Sequence, residues 1–220
     1  MAEERAELPS WGGVTEPMTV ATDVVLATLA FVFATRLAQR SAIDDSAAAG
    51  CLAAAMLVTG LSAVIGAIAH GTDPSSAALR ARFWRITVYV TGFIGAAIVA
   101  SVAFFAARGS ARGTLLFVAA IKLVYFLKRA AREPEFHVVA ADYGVALAIL
   151  LAGALSELVR RRAPGMAWLI AGVLVSLVAA IVQARRLVLH RHFNHNDLYH
   201  VIQMVALYAF YRGGALLVDR

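Results

Sequence analysis

The sequence predicts an all-α fold, an integral membrane bundle of seven transmembrane helices, and three observations carry that expectation. Of the 220 residues, 61% are hydrophobic and only 15% are charged, where an ordinary soluble domain carries about 25% charged residues. The mean hydropathy of +0.75 agrees with that contrast and points the chain toward lipid. The charges fall in short islands between apolar stretches, each near the ~20 residues a helix needs to cross about 30 Å of hydrocarbon. Inside lipid every backbone N–H and C=O must pair within the segment, so spans of this length are helices.

In chain order the spans are expected at roughly 17–38, 47–69, 83–107, 113–130, 137–158, 165–184 and 196–218. A polar segment, residues 1–16, precedes them, and 1–220 forms a single membrane domain. The start, "MAEERAELPSWGG", lacks a basic stretch running directly into an apolar core and does not read as a cleavable signal peptide. Pro17 and Pro164 stand at helix starts, where a missing N–H costs nothing. The connectors, such as "RSAIDDS" and "RGSARG", are short and leave no room for a second domain. Small residues recur in "GLSAVIGAIAHG" and "GFIGAAIVAS", which suits close helix contacts in lipid. Trp11, Trp84 and Tyr89 suit an interfacial aromatic belt.

The net charge of +6 is not read as a nucleic-acid footprint, because arginines at helix ends meet lipid headgroups or follow topology rules. Membrane lipids are the expected partners. Two lysines, Lys122 and Lys128, stand against eighteen arginines, which with heavy alanine use suggests a GC-rich coding background and a bacterial inner membrane. Cys51 is the single cysteine, so no disulfide forms within the chain. No Gly-rich phosphate loop, G-x-S-x-G or C-x-x-C occurs, and the last span holds no lysine for a retinal Schiff base.

Parity orders the chemistry-bearing residues. With seven spans, the end of the second, the start of the fifth and the start of the seventh share one membrane side. All six histidines then lie on that side, four of them in "HRHFNHNDLYH", residues 190–200. Asp23, Lys122 and Asp142 fall in the same half of the bundle or near its middle, and Lys122 has Asp142 or Asp23 as expected partner. Ionisable groups in spans are costly and face the bundle interior, so a polar cavity open to one side is expected. Glu16, Thr19 and Asp23 share one helix face, as do Asn196, His200 and Gln203. Imidazoles from two helices plus one further donor are a zinc-ligand set with water as the open ligand. The alternative is structural: Asn194 and Asp197 cap the last helix, and the polar cluster is hydrogen-bonded glue.

These residues resemble the CREST superfamily of seven-span membrane proteins, which holds the alkaline ceramidases, the progestin-and-adipoQ receptors and GPI-lipid-remodelling hydrolases. That pattern is Ser-x3-His in the second span, an Asp soon after, and His-x3-His in the seventh. "GAIAH" supplies His70, with Gly66 in the serine position, and "NDLYH" supplies His200, with Asn196 in the other histidine position and His195 beside it. The resemblance implies a zinc ion held by His70, His200 and either His195 or Asn196, with Asp73 or Asp23 as base or orienting carboxylate. It implies hydrolysis of a lipid amide or ester by metal-bound water. The other class left open is a non-catalytic lipid or ion binder, receptor-like sensor or transporter.

Overall fold

The computed structural model describes residues 10–11, 14–190 and 192–220; most of the N-terminal polar segment lies outside them. A two-residue antiparallel pair, β1 (Ser10–Trp11) and β2 (Val14–Thr15), leads into seven helices. These are α1 (Pro17–Asp44), α2 (Ala47–Gly71), α3 (Ala77–Ala106), α4 (Gly109–Arg132), α5 (Phe136–Arg161), α6 (Met166–Ala184) and α7 (His195–Gly214). A single 3-10 turn, Pro74–Ser76, links α2 to α3.

Six of the helices, α1 to α6, are long and apolar enough to cross a membrane among the described residues. The sequence-based expectation of seven is met in part. α7 has the length, since its 20 residues span about 30 Å at 1.5 Å per residue. It carries His195, Asn196, Asp197, His200, Gln203 and Arg212, and that polar load sets it apart from the other six. Several helices outrun their expected spans. α1 continues past residue 38 to Asp44 because Arg40 and Asp44 pair one turn apart, 2.6 Å between charged atoms.

The bundle has two chemically distinct ends. At end A, the starts of α1, α3, α5 and α7 meet the ends of α2, α4 and α6, as the Trp84 Nε1 bond to Pro134 O (2.8 Å) and the ring contact of Phe136 with Tyr199 show. At end B, Asp219 accepts from Ala47 N (3.0 Å) and Ala48 N (2.9 Å) and so caps α2 from the far end of the chain. Arg220 there donates to Ala106 O and to Glu157, and Arg212 lies over the Trp168 ring.

The core is built from small and branched aliphatics of α1, α2, α3, α5, α6 and α7, among them Ala30, Leu37, Ala48, Val99, Leu150 and Leu169. Lipid gives no hydrophobic drive between helices, so close packing must supply the attraction. Gly92 shows how: a Cβ there would stand 2.2 Å from the Phe126 ring, so only glycine lets α3 and α4 approach this closely. α4 is the least embedded helix, with Phe117, Ile121, Val124 and Tyr125 turned outward. Its polar anchor is the Lys122–Asp142 pair, 2.6 Å, seated against Gly95 of α3.

Candidate functional site

α1 begins at Glu16, which takes a left-handed backbone conformation (φ 50°) just ahead of Pro17. That turn buries the Glu16 side chain among three helix ends. His70 Nδ1 of α2 lies 3.1 Å from Glu16 Oε2, and Arg80 of α3 donates to Glu16 Oε1. Burial works to raise the Glu16 carboxyl, but the hydrogen bond and charge of His70, with those of Arg80, outweigh it and hold the group below its ordinary value.

The start of α7 is fixed by a reciprocal cap. Asn194 Oδ1 accepts from Asn196 N (2.7 Å) and Asp197 N (3.3 Å), while Asn194 N donates to Asp197 Oδ2 (2.7 Å). The expected capping role of Asn194 and Asp197 is therefore present. Asp197 does more than cap: Thr19 Oγ1 of α1 donates to its Oδ1 at 2.7 Å, which binds α7 to α1. One turn deeper, His200 sits between two α1 side chains. Its Nδ1 is 3.0 Å from Thr22 Oγ1 and its Nε2 is 3.4 Å from Asp23 Oδ1. On the α6 side, Gln183 Nε2 donates to Asn196 Oδ1 at 2.8 Å.

These groups border a cavity of about 210 Å³ between α1, α2, α3, α5, α6 and α7. Its end-A portion carries His70, Asp23, His200, Asn196 and Gln183; deeper, Leu26, Ala63, Ile94 and Leu147 make an apolar floor. Gly144 of α5 with Leu177 and Ala180 of α6 line the cavity and are also exposed on the outer surface of the bundle. The exposed part of the cavity wall thus lies between α5 and α6, at a glycine, a leucine and an alanine.

The expected site residues are brought together in part. Asp23, His70, Asn196 and His200 line the one cavity, and Asp23 faces the bundle interior with 3% exposure. Asp73 does not join them. It lies in the loop after α2, accepts from Ser75 N at 2.7 Å, and caps the 3-10 turn; the bonds from Ser75 hold its carboxyl below its ordinary value. It does not line the cavity, and Asp23 is the carboxylate beside the His200 imidazole. His195 is the first residue of α7 and is not part of the cavity wall.

The zinc set implied by the resemblance is not gathered. Among the described residues no three His, Cys, Asp or Glu side chains group so as to hold a metal ion. Three of the four expected ligands have protein partners instead: His70 has Glu16, Asn196 has Gln183, and His200 has Thr22 and Asp23. The residues present do not fit a three-ligand zinc centre, so no chemical step is routed through one.

Three partners escaped the sequence reading: Arg80, Gln183 and Thr22. Thr22 also donates to Thr19 O at 3.0 Å, a back-bond that threonine makes readily inside helices. A polar face Glu16-Thr19-Thr22-Asp23 was the available signal.

No curated protein and no solved structure matches the chain. Residues 18–219 match the model of DUF6962, described as a family of unknown function. That match covers nearly the whole chain, which belongs to the DUF6962 family.

Proposed function

We propose that the chain crosses the membrane seven times and takes an amphiphile from the bilayer into the cavity at end A, chain toward the apolar floor and headgroup toward Asp23 and His200. One observation carries this reading: the wall of the cavity that holds the polar cluster is exposed between α5 and α6, at Gly144, Leu177 and Ala180, which we read as a lateral gap. A water-soluble ligand needs no such gap, whereas a lipid reaches it by diffusion in the plane of the membrane. α7 serves as the seventh span because its polar residues in the first half, Asn196, His200 and Gln203, turn inward to the cavity rather than to lipid. Membrane lipids are the partner class, and a bacterial inner membrane is the setting that fits the composition.

The Asp23–His200 pair favours a second, catalytic reading, hydrolysis of a lipid amide or ester as in the superfamily the sequence resembles. With Asp23 against Nε2, His200 would act as general base through Nδ1, which must exchange its Thr22 contact for water to take the proton. Here the pair lies on the cavity wall at the level of the headgroup.

Native mass spectrometry of the purified protein tests the first reading. The expected result is a co-purifying single-chain amphiphile that is lost on Ala180→Trp, which fills the gap. Equal lipid occupancy in both proteins contradicts it. Release of fatty acid from a panel of lipid amides and esters, abolished by His200→Ala, tests the second.

A further inference from the structure

We propose that the end-A part of the cavity selects amphiphiles whose headgroup is a protonated amine. This rests on the amphiphile-binding reading above and names the class of molecule it takes.

The first observation is an uncompensated carboxylate. Asp23 is almost wholly buried, and its Oδ2 accepts no hydrogen bond from the described residues. Its Oδ1 has one ion-pair contact among the described residues, His200 Nε2 at 3.4 Å, beyond the roughly 2.7–2.9 Å of a strong charge-assisted bond. The second observation is independent of Asp23. Gln183 Oε1, on α6, is also buried and accepts no hydrogen bond from the described residues. Gln183 is bonded to Asn196, and Asn196 precedes His200 by one helical turn, about 6 Å along the axis. The wall therefore offers two unpaired acceptors stacked toward end A, a carboxylate oxygen below and a carboxamide oxygen above, and Gln203 Oε1 is a third, about one turn deeper on α7.

The third observation is charge. No lysine or arginine lines the cavity among the described residues. Arg80 is spent on Glu16, and the third carboxylate of the network, Asp197, is satisfied by the neutral donors Thr19 and Asn194. His70, the other imidazole on the wall, has its Nδ1 against Glu16. A carboxylate in a low-dielectric setting is stabilised most by an opposite charge placed against it. A headgroup phosphate or carboxylate would put like charge there and be rejected. A hydroxyl supplies one donor and no charge. A primary ammonium supplies three N–H donors and the missing positive charge, with a second donor on the same headgroup free to reach Gln183.

Competition labelling in lipid nanodiscs tests this with simple probes. A neutral dodecyl alcohol carrying a mid-chain diazirine is photolysed with the wild-type protein, and dodecylamine, dodecanol and dodecanoate compete for labelling of α5 and α6. Dodecylamine is expected to suppress labelling at a concentration at least about tenfold below dodecanol, with dodecanoate weakest. The Asp23→Asn variant is expected to erase the difference between amine and alcohol. Equal potency of the three headgroups on the wild type overturns the inference while leaving the amphiphile reading intact, and so does an amine preference that survives Asp23→Asn. Absence of any competable labelling of α5 and α6 overturns both. The headgroup order on the wild type decides the matter even where the variant fails to fold.

Discussion

His200 Nε2 stands 3.4 Å from Asp23 Oδ1, and this contact ties the last helix to the first at the depth of the cavity. The two partners are not equivalent. Asp23 has His200 alone within ion-pair reach among the described residues, whereas His200 also has Thr22 at 3.0 Å. Truncating the histidine should therefore hurt more than truncating the acid. His200→Ala removes the one neighbour of a carboxyl whose other oxygen is already unpaired and is expected to cost about 1–3 kcal/mol. Asp23→Ala removes that unpaired oxygen and leaves an imidazole with one bond, and is expected to cost about 0–1 kcal/mol. Unfolding by denaturant in mixed micelles measures both, and a larger loss for Asp23→Ala contradicts the asymmetry.

Gly66 faces the same carboxylate. A Cβ built there would lie 3.5 Å from Asp23 Oδ2, an ordinary contact, so a side chain fits. Gly66→Ser is expected to give Oδ2 the hydroxyl donor it lacks and to stabilise the protein by about 1 kcal/mol, with a further gain from helix propensity. Gly66→Ala isolates the propensity term. Equal melting temperatures for the serine and alanine variants would show that the hydroxyl does not reach Asp23.

Lys122 and Asp142 hold α4, the least embedded helix, against α5. Lys122→Met or Asp142→Leu alone leaves one charge buried without its partner, and each is expected to lose about 3–5 kcal/mol. The double variant should recover much of that loss, since two apolar side chains suit the site. A double-mutant cycle checks this; additive losses would mean that the two charges do not stabilise each other.

Glu16 carries the pH dependence outside the membrane spans. Its carboxyl is held below its ordinary value of 4.5, so the unfolded chain binds a proton there before the folded one does. Its contribution is full above 4.5 and is lost as pH falls through the lower, folded value. The melting-temperature gap between the wild type and Glu16→Gln should close as pH falls below about 4.5. A gap that widens below that pH contradicts the sign.

Helix positions were legible in the sequence because apolar run length fixes them, and α1 to α6 fall where the runs predict. Parity brought His70 and His200 to one end without any knowledge of packing. The face shared by Glu16, Thr19 and Asp23 was legible from the helical period, and all three are buried. The pairing of Lys122 with Asp142 was one of two expected partners. Cross-helix detail was not legible. Whether Asn196 meets a metal or Gln183 depends on the rotation and tilt of α6 and α7, which small differences in packing decide. Asp73 was misplaced because it lies in a loop, where no helical period constrains direction, and its proximity in sequence to His70 stood in for proximity in space.

Photolabelling by a single-chain amphiphile with a mid-chain diazirine, followed by mapping of the labelled peptides, tests the central claim most directly. The account predicts labels on the cavity-side residues of the α5/α6 gap, Gly144, Leu147, Leu177 and Ala180, and their loss when Ala180→Trp closes it. Labels confined to outward-facing side chains such as Phe117 and Val124 of α4, unchanged by Ala180→Trp, would contradict it.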